Sequence, residues 1–231
     1  MFRFPSPFSV ICAVFLAVTA ASVPASAQSP RYRVTITNLT KGQTFTPILI
    51  ATHSPATRIF AAGTQASPQL QVLAEEGETA MLAALLRSTP ATVGEVVTGP
   101  APLPGLQTPG TSRSYDISGG NAFTQLSLAA MLIPTNDAFV GASGVTLPSG
   151  FDPVVIDLLA YDSGTEINDE LCASIPGPSF TECGGAGGGG RPGRGEGAIT
   201  VHNGMHGVGQ MNEAMRDWRG PVARVTIQRV Q

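Results

Sequence analysis

Residues 32–37 read Tyr-Arg-Val-Thr-Ile-Thr, and this stretch decides the fold class because apolar and polar side chains alternate along it. Successive side chains of a β-strand point to opposite faces, so the alternation predicts a strand with one face in the core and one in solvent. Residues 223–228, Ala-Arg-Val-Thr-Ile-Gln, repeat the pattern near the other end of the chain. We therefore expect both ends of one domain to be strands of a sheet.

Short apolar runs separated by turn-forming residues continue this pattern between the two ends. Residues 45–52, 126–133 and 154–160 are apolar enough for strands, and the chain contains 27 glycines and 19 prolines. Ser67 followed by Pro68 predicts the start of a helix, and Gly77 is expected to bend or divide it. The sequence therefore predicts an all-β antiparallel sandwich with a short helical insertion.

The first 27 residues have the pattern of a secretion signal. Met1-Phe2-Arg3 gives a positive start, residues 8–21 are apolar, and Ala25-Ser26-Ala27 provides small residues for cleavage after Ala27. We expect a secreted or periplasmic domain of residues 28–231, without a membrane span, because no later apolar stretch reaches about 18 residues.

The charge and the motifs exclude two classes of function. There are 13 basic and 16 acidic residues, a formal charge of −3, and no concentrated basic stripe, so a nucleic-acid surface is not expected. The chain also lacks a G-x-S-x-G nucleophile motif and H-E-x-x-H. Hydrolytic chemistry is therefore not expected.

Two cysteines, Cys172 and Cys183, remain once the signal with Cys12 is removed. Export makes a disulfide between them the expected state, as a staple of a local loop. Residues 184–197 follow, with nine glycines in fourteen positions, and are predicted to form a flexible loop.

Carboxylates stand near the ends of the predicted strands. Asp116 precedes the 126–133 strand, Asp137 follows it, and Asp162 follows the 154–160 strand. Loops at strand ends meet at the edges of a sandwich, where such side chains can bind one calcium ion. The alternative is that Asp and Asn are present only because they favour turns.

The histidines form a second candidate metal site. His202 and His206 are four residues apart, but the glycines at 204, 207 and 209 argue against a helix that would bring them to one face. His53 could be a third ligand or a core histidine with bonded ring nitrogens. A small exported zinc or copper protein, or a metalloenzyme, is therefore the alternative hypothesis.

Six segments together resemble the spondin N-terminal domain, the module of F-spondin, mindin and many exported bacterial proteins. They are Tyr-Arg-Val-Thr at 32–35, Ala-Thr-His-Ser at 51–54, Leu-Ala-Glu-Glu-Gly-Glu at 73–78, Ile-Pro-Thr-Asn-Asp-Ala-Phe-Val-Gly at 133–141, Tyr-Asp-Ser-Gly-Thr-Glu at 161–166 and Pro-Val-Ala-Arg-Val-Thr at 221–226. The resemblance implies a C2-like sandwich of about eight strands with calcium bound by acidic loops at one edge.

The resemblance also implies which residues bind the ion. Asp137 corresponds to the aspartate of the family's Pro-Ser-Pro-Asp turn, and Asp162 to the first aspartate of its Asp-Ala-Gly-Thr-Asp turn. A third family carboxylate lies upstream, where strict spacing reaches Ser118, and Asp116 matches after a two-residue shift. The chain departs from the family at Ala138, Ser163 and Glu166, which replace tryptophan, alanine and aspartate. The expected partner is a protein or glycan at the cell surface, while matrix adhesion belongs to additional repeats of the animal members.

Overall fold

The computed structural model describes residues 1–2, 29–100, 105–177, 180–184, 188, 193 and 195–231. The predicted signal peptide therefore lies almost wholly outside the described residues, as does most of the predicted glycine-rich loop. The strands are β1 (Arg31–Asn38), β2 (Thr44–Phe45), β3 (Leu49–His53), β4 (Val93–Thr98), β5 (Ser112–Ser118), β6 (Gln125–Ile133), β7 (Ala138–Thr146), β8 (Val154–Leu158), β9 (Ala160–Asp162), β10 (Thr200–Val201) and β11 (Ala223–Arg229). The helices are α1 (Pro68–Glu76), α2 (Ala80–Arg87) and α3 (Glu213–Arg216), with a 3-10 turn at Thr181–Cys183.

Two antiparallel sheets form the predicted sandwich. One has four strands in the order β5-β1-β11-β8, and the other has six in the order β10-β9-β7-β6-β3-β4, with β2 also paired to β6. The described residues thus contain eleven strands, more than the eight expected, because β2, β9 and β10 are short additions. The two alternating segments at the chain ends pair directly, β1 with β11, as register partners such as Val34 and Ile227 show.

The two sheets differ in how they are buried. Along β1, Val34 and Ile36 are buried between the sheets while Arg33 is exposed, as the alternation predicts. Eight of the nine residues of β6 are buried, because its sheet packs against the other sheet on one face and against α1 and α2 on the opposite face. A strand buried on both faces has a continuous apolar sequence, and the 126–133 run is of this kind.

The helical insertion begins and divides where the sequence predicts. The Ser67 side chain accepts a hydrogen bond from the Leu70 N–H, and Pro68 is the first helical residue. Gly77 ends α1 with φ of 71°, a left-handed conformation that glycine adopts at low cost, and α2 starts three residues later. Leu70, Leu73 and Ala74 are buried between the helices and the sheet that contains β6.

The expected disulfide is present between Cys172 and Cys183, whose Cα atoms are 5.4 Å apart. It closes a loop that places Ile175 and Phe180 in the core between the sheets. Among the helices that the structure describes, none combines the length and the apolar character needed to cross a membrane.

Candidate functional site

Asp137 and Asp162 come together because the strands that carry them are neighbours. Asp137 immediately precedes β7, and Asp162 is the last residue of β9. These strands are antiparallel, with Ala138 opposite Asp162 in the register, so the start of one meets the end of the other. Both aspartates are buried, with relative exposures of 0% and 4%. The sequence-based expectation that these two turns lie at one edge therefore agrees with the geometry.

The Asp137 carboxylate is bonded at one oxygen only. Its Oδ2 accepts four hydrogen bonds, from Ser163 Oγ at 2.8 Å, Thr165 N at 2.9 Å, Thr165 Oγ1 at 3.2 Å and Glu166 N at 3.1 Å. Its Oδ1 is also buried but has no hydrogen-bond partner among the described residues. A buried carboxylate oxygen without a partner is costly in the charged state, which makes a cation a favourable neighbour.

The Asp162 carboxylate lies in an environment that opposes its charge. Burial, followed by the nearby Asp137 charge, raises the pKa of Asp162 to about 7, although hydrogen bonds from Asn168 and Gly164 act in the other direction. Gly164 N donates to Oδ1 at 2.6 Å, and Asn168 Nδ2 donates to Oδ2. Glu196 adds a further negative charge nearby, so bringing a cation here would relieve repulsion among acids.

Gly164 is required at this turn for two reasons. Its φ is 71°, which L side chains rarely adopt, and a Cβ there would collide with the main chain of Ala198. The close approach is fixed by a hydrogen bond from Gly197 N to Gly164 O at 2.9 Å. The turn that carries Asp162 is therefore packed directly on the segment that carries Glu196.

Two further acids have structural roles beyond the pair. Asp169 accepts hydrogen bonds from Asn136 Nδ2 at 3.0 Å and Ser174 Oγ at 2.8 Å. Glu170 is buried and accepts from the main-chain nitrogens of His206 at 2.6 Å and Val208 at 3.0 Å. These bonds connect the loop after Asp162 both to the Asp137 turn and to the histidine segment.

Asp116 corrects the sequence-based ligand set, because the structure does not bring it to the other two aspartates. It lies on the exposed face of β5, directly opposite Arg33 of β1, and forms a two-bond ion pair with that guanidinium at 2.9 and 3.0 Å. The Arg33 hydrogen bonds hold the pKa of Asp116 below its usual value. Its carboxylate already has a cationic partner in the four-stranded sheet.

The histidines do not form a shared site in the described part of the chain. Both ring nitrogens of the buried His53 are bonded, to Ser54 O at 2.8 Å and Ser127 Oγ at 2.6 Å. His202 is buried with its ring 5.0 Å from that of Trp218, and its Nδ1 accepts the Gly204 N–H. Burial, together with the charge of the exposed His206, lowers the pKa of His202 to about 4. His53 is thus a core residue with both ring nitrogens bonded, and His202 is a core residue that is neutral at pH 7.

Sequence reasoning did not identify three residues that bond to Asp137 or Asp162 or add charge near them, namely Thr165, Asn168 and Glu196. Within the described ranges, no three His, Cys, Asp or Glu side chains are arranged to hold one metal ion. Asn168 and Thr165, which bond the two aspartates, lie within six residues of Asp162, so proximity to that turn could have identified them. Glu196 lies inside the glycine-rich tract, and nothing in the sequence indicates that residues 195–197 pack on the turn that carries Asp162.

One protein family matches a segment of the chain that contains all three candidate aspartates. The family described as Spondin_N matches residues 30–171, which is more than half of the chain and includes Asp116, Asp137 and Asp162. The last resembling segment, residues 221–226, lies beyond the matched range although β11 is central in its sheet. A search of curated proteins gives no significant match.

Proposed function

We propose that this chain, which belongs to the spondin N-terminal domain family, is an exported, non-enzymatic binding module that holds a calcium ion between Asp137 and Asp162. The family supports an extracellular binding role. The ion would fix the loops at this edge of the sandwich and present them to a protein or glycan at a cell surface. A disulfide suits the oxidising compartments outside the cytoplasm.

One observation carries the proposal: two buried carboxylates lie at paired strand ends, close enough for the Asp137 charge to act on Asp162, and Asp137 Oδ1 has no partner among the described residues. Two like charges in a low-dielectric region repel each other strongly, and here that repulsion contributes to the raised pKa of Asp162. A divalent cation between the two carboxylates would attract both of them and so offset their mutual repulsion. The residues present therefore fit a bound cation.

Calcium is the cation that suits this set of donors. It prefers oxygen ligands and accepts main-chain carbonyls and water in loose geometry, so two carboxylates with neutral oxygens can suffice. Histidine and cysteine, which transition metals prefer, are not among the residues that bond Asp137 and Asp162 in the described structure. The chain's own contribution is to bury both acids and to orient Asp137 through four donors.

The test is thermal unfolding of residues 28–231 at pH 7.5 with calcium, with zinc and with chelator. Calcium at about 100 times its dissociation constant should stabilise the folded state by about 2.7 kcal/mol, or roughly 5–10 °C in Tm. The shift should be lost in Asp137→Ala and Asp162→Ala. Asp157→Asn is the matched control, because Asp157 is an exposed aspartate paired with Arg224 on the other sheet.

The proposal fails if calcium protects both alanine variants as well as the parent. It also fails if the parent shows no shift with calcium. A shift with zinc that is lost in His202→Ala would instead favour the histidine segment.

A further inference from the structure

A cleft of about 440 Å³ lies beside the two aspartates, between the start of α1 and the turn that follows β9. The lining residues include Gln65 just before α1, Gln71 within it and residues 163–165 from the turn, with Gly195 and Gly197 completing it. This volume falls within the range of small-ligand sites. We propose that the cleft binds an uncharged sugar unit of a glycan, and that calcium at Asp137 and Asp162 is required for this binding.

The chemistry of the lining selects this class of ligand. None of the described lining residues carries a charge, and the only apolar ones are Ala66 and Pro68. Phosphates, sulfates and carboxylates are recognised mainly through Arg, Lys or free N–H groups at a helix start, and lipid chains need a broad apolar wall. At the start of α1, Pro68 has no N–H and the Leu70 N–H is already bonded to Ser67. Amide side chains and main-chain groups both donate and accept hydrogen bonds, which matches the dual character of sugar hydroxyl groups.

One of the two amides is held in position before a ligand arrives. Gln71 lies in the first part of α1, and its Nε2 donates to Glu75 Oε1 one turn later at 2.7 Å. Glu75 is itself buried. An amide with a fixed orientation loses little conformational entropy on binding, so Gln71 is the residue expected to contribute most.

The opposite wall of the cleft is attached to the two aspartates. Gly164 N donates to Asp162, and Ser163 Oγ and Thr165 N donate to Asp137. Gly197, which completes the cleft, is bonded to Gly164. A cation that fixes the two carboxylates therefore also fixes this wall, which makes sugar binding depend on calcium. The inference in this respect rests on the calcium site proposed above.

The experiment is binding of the full exported chain to an array of uncharged, sulfated and sialylated oligosaccharides, in calcium and in chelator. We expect one or more uncharged glycans to bind in calcium, with binding lost in chelator. Gln71→Ala should weaken binding about tenfold through loss of its hydrogen bonds, while the calcium shift in Tm stays that of the parent. Gln228→Ala, an exposed glutamine on β11 in the other sheet, is the matched control and should bind as the parent does.

The outcomes separate this inference from the function on which it rests. Calcium stabilisation without any bound uncharged glycan overturns the inference and leaves the calcium site intact. Binding only of charged glycans, or undiminished binding by both Gln71→Ala and Gln65→Ala, overturns it as well. Glycan binding that is equal in chelator overturns the dependence on calcium, and the Tm series then reports separately whether calcium binds.

Discussion

The aspartate pair and the histidine segment both bury titratable side chains, yet burial has opposite results in the two regions. His202 packs against Trp218, and burial lowers the pKa of His202 to about 4, so this side chain is neutral at pH 7. Asp162 lies beside a second buried acid, and its pKa is raised to about 7, with no cationic side chain among the described residues bonded to it. A single buried base can lose its charge and remain stable, whereas two adjacent carboxylates at neutral pH need a counter-charge. The difference is why we propose the aspartates, and not the histidines, as the metal site.

The largest expected effect concerns Asp162 in the absence of calcium. Its folded-state pKa, about 7, lies above its ordinary value of 3.8, so its contribution to stability is present below pH 4 and is lost as pH rises to 7. At about 1.4 kcal/mol per pKa unit, the loss amounts to at most about 4 kcal/mol. Chemical denaturation in chelator between pH 4.5 and 8 should show this decline in the His202→Gln variant, which lacks the opposing titration of His202, and adding Asp162→Asn should remove it.

Calcium should change the pH dependence of the unfolding free energy. The ion favours the ionised carboxylate, so the difference in unfolding free energy between calcium and chelator should grow as pH rises from 4.5 toward 7. A difference that is constant with pH, or identical profiles for the parent and Asp162→Asn, would contradict the role given to Asp162.

The next largest effect concerns His202 and has the opposite sign. Its folded-state pKa of about 4 lies below the ordinary 6.5, so its stability contribution is present above pH 6.5 and is lost as pH falls toward 4. The loss is roughly 3 kcal/mol over that range. Measured in calcium, where the Asp162 decline is suppressed, the parent should lose stability below pH 6.5 and His202→Gln should not.

His206→Gln is the control for this prediction. His206 is exposed, and its charge is the second cause of the His202 shift, after burial. The control should therefore retain most of the acid-induced loss. A profile that becomes flat in His206→Gln but not in His202→Gln would show that the titrating group has been assigned to the wrong residue.

Local patterns in the sequence predicted the elements that depend on few partners. The alternation in β1 and β11, and the Ser67-Pro68 start and Gly77 end of α1, are confirmed because each has a local physical cause. The run at residues 45–52 forms two strands, β2 and β3, and the two-residue strand β10 was not predicted. Pairing with distant strands, β2 with β6 and β10 with β9, defines these short elements. Likewise, Asp137 and Asp162 were chosen from their turns, but which acids would meet them depended on sheet order.

Asp116 shows most clearly that sheet order could not be predicted from the sequence. Its substitution gives the smallest expected effect on stability. Residues 112, 114 and 116 all point to the exposed face of β5, and the register sets Asp116 opposite Arg33. The family resemblance matched Asp116 to a calcium ligand only after a two-residue shift from Ser118. Exposed ion pairs contribute little to stability because water screens them. Asp116→Asn should therefore leave both the Tm and its calcium shift close to those of the parent. A calcium shift lost in Asp116→Asn would mean that β5 moves to bring this carboxylate to Asp137 and Asp162, and the register of β1 with β5 would then have to differ in the calcium-bound protein.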